Sequence, residues 1–303
     1  MLDVDTFLTT LYVMVDDFCQ SHSPEKKRPG PKASLCASEV ITLAIFARWS
    51  RFASERDFYR YAEGHLRGAF PTLPDRSQFN RLVRFYTQTI EKLALHLGRT
   101  LKDSQPPYQA LDASAMPVRN VKRRGGGWLA GEADIGWSNN LGWYEGFSLL
   151  TAVEPSGVIT GFCFGPASSA DQTLAETFFA LRANPNSRLI SVGAAFSGTY
   201  VADKGFEGTE NHRRWLDHYG AEVLHPPKRN SRKPWSKRLR RWVAGIRQIV
   251  ESVYDKLFNT FGLWRERSHE LGGLRARLAA RVALHNFCIW LNDQLGRPSM
   301  AFS

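Results

Sequence analysis

The sequence predicts an α/β protein, a mixed β-sheet flanked by helices and preceded by an all-helical N-terminal region. Three observations carry that expectation. Up to about residue 100, apolar residues recur at helical spacing. From Tyr108 the pattern changes to short apolar runs, a hairpin signal and strand–helix–strand alternation. Two long helical patterns then close the chain. A hairpin followed by β-α-β alternation is what a mixed sheet with helices on its faces requires.

The elements follow in order. Leu2, Phe7, Leu8, Leu11 and Val15 mark a first helix over residues 1–22. Ser23–Lys32 holds three prolines and a glycine among charges, and reads as a linker. Glu39–Trp49 is apolar around most of a helical circumference, so a buried helix is expected. Ser54 starts a third helix, and Pro74–Ser77 caps a fourth. The fourth carries Phe79, Leu82, Val83, Tyr86, Ile90 and Leu93, with Gly98 as its end. Arg76, Arg81 and Arg84 on it suit either DNA reading or an ordinary exposed face.

Tyr108–Val118 reads as a strand broken by small residues. Trp143–Val153 and Gly157–Phe164 read as a strand pair joined by the turn tetrad Glu154-Pro-Ser-Gly157. Ser169 is expected to cap a helix with Leu174, Phe178, Phe179 and Leu181 in the core. Leu189–Val192, Tyr200–Ala202 and Ala221–Leu224 are short strand candidates, with a helix over Thr209–Tyr219. Helices over Pro234–Phe261 and Leu274–Leu295 complete the chain, and no internal repeat is present. The expected domains are residues 1–100, helical, and 105–295, built on the sheet.

The charge balance narrows the function classes. The 303 residues carry a net charge of +11 with 43% hydrophobic content, and the pI is about 9.7. Such an excess favours a polyanionic partner, above all nucleic acid. No apolar run approaches the length of a membrane span, and Met1–Thr6 carries acids where a secretory leader carries bases. We therefore expect a soluble cytoplasmic protein. Cys19, Cys36, Cys163 and Cys288 form no Cys-x-x-Cys pair, so four buried reduced thiols are expected rather than a zinc site.

Three acidic residues carry the chemistry. Asp112 ends or interrupts an apolar run, where a charge needs a partner or a metal; a turn aspartate bonding its own backbone is the plainer alternative. Asp203 closes another apolar run before Gly205, at a strand end of the kind where ligands bind. Glu251 lies off the apolar stripe of Trp242, Ile246, Ile249, Val250, Val253 and Leu257, near Arg247 and Phe258. An i,i+4 pair with Arg247 would account for it alone. As an ordered trio, two strand-end aspartates and a helix glutamate suit two Mg²⁺ ions for phosphodiester chemistry. Asp171, Asp217 and Asp255 are rival carboxylates, and Asp171 also suits a helix N-terminus. Mg²⁺ is expected, with Mn²⁺ as a substitute, because the donors are oxygens and no Cys/His cluster occurs.

Basic residues surround this trio. Arg119, Lys122, Arg123 and Arg124 follow Asp112, and Lys204 follows Asp203. Lys228, Arg229, Arg232, Lys233, Lys237, Arg238, Arg240 and Arg241 precede the Glu251 helix, with no acid between them. With Arg247 they fit a DNA channel. Trp137 and Trp235 are stacking candidates with core packing as the alternative. His212, His225 and His285 show no metal-ligand spacing and are assigned structural roles.

These motifs resemble the DDE-class transposases of bacterial insertion sequences, which have an RNase H-like catalytic core. The first aspartate of that family stands on the first core strand before a hairpin, here Asp112. The second stands in an Asp-x-Gly-aromatic context, here Asp203-Lys-Gly-Phe206. The glutamate lies on a late helix in a Tyr-x2-Arg-x3-Glu-x6-Lys signature, of which Arg247 and Glu251 remain. Ala244 holds the tyrosine position and Phe258 the lysine position, with Lys256 or Arg265 left to supply the missing charge. The resemblance spans about residues 105–295 and implies a catalytic domain there, with DNA-end binding by residues 1–100. It implies cleavage and strand transfer at terminal inverted repeats through a 3′-hydroxyl. Its partner would be double-stranded DNA, both element ends and target, bound by a homodimer associated with the nucleoid. The rivals are a structure-selective nuclease on the same core and a catalytically inactive, transposase-derived DNA-binding protein.

Overall fold

A computed structural model of the chain describes residues 3–22, 33–49, 51–101, 106–119, 129, 131–183, 198–227 and 235–302. The N-terminal region is helical as expected: α1 (Val4–His22), α2 (Ala37–Phe46), α3 (Glu55–His65), α4 (Arg76–Phe85) and α5 (Thr87–Leu101). Two differences concern the fourth expected helix. It is two helices, because the chain leaves helical geometry at Tyr86 after Asp75 has capped α4 through Ser77 and Gln78. Gly98 does not end α5 but lies inside it, where a β-carbon would come within 2.7 Å of the Ile159 carbonyl. The glycine lets α5 approach the sheet closely rather than stopping the helix.

The sheet is built from β1 (Gln109–Arg119), β2 (Asp134–Ser138), β3 (Gly142–Val153), β4 (Ile159–Pro166), β5 (Gly198–Ala202) and β6 (Ala221–Leu224). The order is β2-β3-β1-β5-β6, with β4 also on β3. Residues 142–146 of β3 pair with β2 and residues 147–153 with β4, so the two short strands share one edge. β1 lies antiparallel to β3 and parallel to β5, and β5 lies parallel to β6. The parallel pairs need crossovers, which α6 (Asp171–Ala183) and α7 (Thr209–Tyr219) supply.

β1 is one continuous strand rather than a broken one, since Ala110 to Pro117 stay in register with β3. β2 was not anticipated, because Asp134-Ile-Gly-Trp-Ser138 lacks a strong alternating pattern and is mostly exposed. Ser169 does not cap α6; its amide closes a turn onto Pro166 and the helix begins at Asp171. Leu189–Val192 lies outside the described residues. The late helix α8 (Lys237–Asp255) stops before Phe261 and passes into a π-turn over Lys256–Thr260. Trp242 is 43% exposed and leaves the expected stripe, its ring edge against Tyr108. Cys36 is exposed, unlike the other three cysteines, because it occupies the cap position before α2.

Both faces of the sheet are covered. Leu111, Leu150, Tyr200 and Ala202 pack with Phe178, Phe179 and Trp215 of α6 and α7. On the other face Ala110, Phe147, Leu149 and Val201 join α8, α9 (Leu271–Gln294) and the N-terminal helices in one continuous core. Asn286 of α9 ties this packing to β4, its side chain bonding both the amide and the carbonyl of Ile159. This is the predicted mixed sheet flanked by helices, with the helical region packed against it. Among the described residues no helix is long and apolar enough to cross a membrane.

Candidate active site

Strand periodicity places the two aspartates. Leu111 pairs with Ala202 across the parallel β1–β5 ladder, and both face α6 and α7. The next residue on β1, Asp112, therefore turns to the opposite face, toward α8, and Asp203 follows the last residue of β5, its carboxylate beside that of Asp171 at the start of α6. The β1–β5 pairing ends at that step, so β1 continues alone along its β5 side. The two carboxylates sit where the sheet opens, which is where an α/β sheet offers a crevice. That open side also tolerates Pro117, which has no amide to give a neighbouring strand.

Asp203 is fixed by its own turn. Its Oδ1 accepts from the Gly205 amide at 2.7 Å, capping a short 3₁₀ turn over Lys204–Phe206. Asn211 and Gln172 hydrogen-bond beneath it, and Gln172 also donates to the Glu207 carbonyl. His212 contacts the Phe206 carbonyl at 2.7 Å, so this histidine is structural. Phe206 is fully buried and anchors the turn.

Asp112 accepts from the Ala113 amide at 3.0 Å. Burial, and then the charge of Asp203, pushes its pKa up to about 7, while the Ala113 amide and Arg247 pull it down. Asp171 at the start of α6 is raised in the same direction, first by burial and then by Asp203. The space above Gly205 is bounded by the carboxylates of Asp171 and Asp203 together. Asp171 is therefore part of the acidic group, beyond the helix-dipole role expected for it.

α8 closes the site from above. The Tyr254 hydroxyl lies 2.7 Å from the Asp112 carbonyl oxygen and 2.9 Å from that of Leu149. It also accepts from Thr151 Oγ1 at 3.1 Å, and Thr151 pairs with Asp112 across β1 and β3. Burial, and next the Asp112 charge, holds the Tyr254 phenol well above its usual range. Arg247 reaches toward Asp112 electrostatically, and its Nε is buried without a hydrogen-bond partner among the described residues. At 100° per residue, Arg247, Glu251 and Tyr254 fall within about 60° of arc on one flank of α8. Glu251 thus lies on the flank that faces Asp112.

The Glu251 carboxylate is 60% exposed and paired with Arg247 at 3.7 Å. Among the described residues, no three His, Cys, Asp or Glu side chains are grouped closely enough to hold a metal ion. The structure brings Asp112 and Asp203 together, adds Asp171, and leaves Glu251 bound to Arg247. Tyr254 and Thr151 were missed in the sequence. Tyr254 belongs to no motif in the sequence, and only the crossing of α8 over β1 gives its hydroxyl a role.

Of the basic candidates, Lys204, Lys237 and Arg238 are exposed and Arg247 is half-buried. Arg119 is described in its backbone only, and Lys122, Arg123, Arg124, Lys228, Arg229, Arg232 and Lys233 lie outside the described residues. The first turns of α8 hold Lys237, Arg238, Arg240 and Arg241 and no acid. Positive charge at a helix N-terminus opposes the helix dipole. Trp137 is exposed opposite exposed Trp143 on the β2–β3 hairpin, while Trp235 packs against the core.

Among curated proteins no match to the chain is found. The family model described as the transposase DDE domain matches residues 103–287, more than half of the chain, from before β1 into α9. With its paired strand-end aspartates and late helix, the chain belongs to the DDE-class transposase family.

Proposed function

We propose that the protein binds the terminal inverted repeats of its element and cuts and rejoins DNA at a site formed by Asp112, Asp203 and Glu251. The observation that carries this reading is the nearness of Asp112 and Asp203 where the β1–β5 ladder ends, close enough for the charge of one to raise the other. The chemistry of the donors suits a hard cation once Glu251 leaves Arg247. The donors are oxygen only, and the repulsion that helps lift Asp112 to about 7 is what a divalent ion relieves. Asp112, Asp203 and Glu251 would hold two Mg²⁺ ions, with Mn²⁺ as a substitute. When bound, the ions supply an activated oxygen nucleophile and stabilise the leaving alkoxide.

The residues of the chain do the rest. Tyr254 and Thr151 lock β1 so that Asp112 keeps its place. Gly205 holds the Asp203 carboxylate through its amide. Glu251 is held by an exposed ion pair, which costs less than about 1 kcal/mol to break. Arg247, released from Glu251, is placed to bind a phosphate beside Asp112. Arg119, Lys122, Arg123, Arg124, Lys204, Lys228, Arg229, Arg232, Lys233, Lys237 and Arg238 grip the duplex. The N-terminal turns of α8 suit this, since clustered bases over free helix amides are stabilised by an incoming phosphate. Water attacks the phosphodiester at the element end, and the 3′-oxygen leaves as a 3′-hydroxyl; that hydroxyl then attacks a phosphodiester of the target strand, whose own 3′-oxygen leaves with a proton as the new bond forms. The helical N-terminal region binds the element end, and a homodimer holds two ends together.

Cleavage of end-containing duplex in Mg²⁺ by wild type and Asp203→Ala tests the site. The variant is expected to bind DNA and not cut it; cutting at the wild-type rate overturns the assignment. Precut ends then distinguish a transposase, which joins them to target, from a nuclease, which does not. The Arg247–Glu251 pair favours the rival of a non-catalytic DNA-binding protein. That rival predicts metal-independent binding and no cleavage in Mg²⁺ or Mn²⁺.

A further inference from the structure

Away from the aspartates, a cleft of about 370 Å³ opens between the N-terminal helices, the segment 261–270 and α9. Six arginines and three glutamates line it, an excess of three positive charges. In its depth two carboxylates are already spent. Glu266, 1% exposed, takes Arg277 Nη1 at 3.0 Å and Arg281 Nη1 at 2.7 Å. Glu55 takes Arg277 Nη2 at 2.6 Å.

Arg48 is left over. Its side chain is 9% exposed, and the Glu55 oxygen it faces stands 3.9 Å from Nη2, beyond hydrogen-bond reach. Nε donates to the Ala44 carbonyl at 3.2 Å, and among the described residues no acceptor serves the Nη groups. Burial, and then the charge of Arg281, pulls Arg48 down to about 10. Removing one more cation than the local carboxylates can neutralise from water is unfavourable unless an anion arrives from outside. Guanidinium forks match the oxygens of a phosphate.

We propose that this cleft is an anion site that receives a backbone phosphate of DNA, remote from the cluster at Asp112. The exposed rim arginines Arg76 and Arg267 extend the positive charge beyond what one small ion would meet, as a continuing polyanion requires. The wall at Phe261 and Gly262 belongs to the chain segment that leaves α8 after Tyr254.

The test needs neither metal nor cleavage, so it stands or falls apart from the assignment of the catalytic residues. Wild type, Arg48→Gln and the rim variant Arg267→Ser are melted with and without inorganic phosphate. Each is then titrated with random-sequence duplex over a range of salt. Phosphate is expected to raise the wild-type melting temperature and leave that of Arg48→Gln unchanged. Without phosphate, Arg48→Gln melts at or above wild type, because a surplus buried charge is gone. The slope of log affinity against log salt becomes shallower by about 0.9 for each phosphate that the variant no longer neutralises, in both variants. An Arg48→Gln protein that melts lower and still responds to phosphate makes Arg48 a structural partner of Glu55 and overturns the proposal. A missing phosphate response with an unchanged DNA salt slope assigns the cleft to a small anion and overturns it too. Should Arg48→Gln not fold, Arg267→Ser decides through the salt slope alone, and an unchanged slope sinks the idea.

Discussion

Tyr254→Phe isolates one hydroxyl that joins α8 to the two central strands. That hydroxyl donates toward the Asp112 carbonyl at 2.7 Å and accepts from Thr151 Oγ1 at 3.1 Å. Its removal loses a donated bond, worth about 1 kcal/mol net. It also strands the Thr151 hydroxyl, which has 0% exposure and cannot turn to water. An unsatisfied buried hydroxyl costs at least about 1 kcal/mol more, so the variant is expected to lose about 2 kcal/mol. Urea unfolding of Tyr254→Phe, Thr151→Val and the double variant measures this. The double variant should fall short of the sum of the singles by about 1 kcal/mol, because removing both partners leaves nothing stranded. Cleavage should fall in Tyr254→Phe as β1 loses its tether beside Asp112, with DNA binding retained. A loss below about 0.5 kcal/mol, or strict additivity, would refute the claim that this hydroxyl binds α8 to the sheet.

Other consequences are as direct. Gly205→Ala places a methyl among the Asp171 and Asp203 carboxylates; Mg²⁺ affinity, read by calorimetry, should drop about tenfold or more while duplex binding holds. Gly98→Ala drives a methyl onto the Ile159 carbonyl and should cost about 1–3 kcal/mol in thermal unfolding, with no change if α5 and β4 are in fact apart. His285 has 0% exposure, and burial pushes its pKa down to about 4. Because its folded value lies below its unfolded one, stability is full above about pH 6.5 and is lost as pH falls toward 4, by up to roughly 3 kcal/mol. His285→Gln should flatten the melting profile in that window, and parallel profiles would contradict the assignment.

Much of the fold was legible because it is local. The stripe Phe79, Leu82 and Val83 and the cap at Asp75 declared a helix before any tertiary contact was known. Glu154-Pro-Ser-Gly157 declared its turn, and Gly157 has the positive φ of 89° that such a turn uses. What failed to show depends on partners distant in sequence. β2 is a strand because the adjacent residues 142–146 of β3 are there to pair with it, not because its own residues insist on it. Gly98 reads as a stop until the Ile159 carbonyl is seen against it.

The candidate site divides the same way. Taken alone, the residues supplied Asp112, Asp203 and Glu251, their order and the basic surroundings, since type and spacing are one-dimensional facts. Whether carboxylates meet is a matter of register and crossing. The Leu111–Ala202 step of a parallel ladder brings the two following aspartates near enough for the charge of Asp203 to raise Asp112. The start of α6 adds Asp171 to them, and the lie of α8 over β1 gives Tyr254 its hydrogen bonds and Glu251 its arginine. Sequence determined which charges the chain carries; only tertiary packing decided which of them share a low-dielectric crevice, because electrostatic coupling falls with distance in space and is indifferent to distance along the chain.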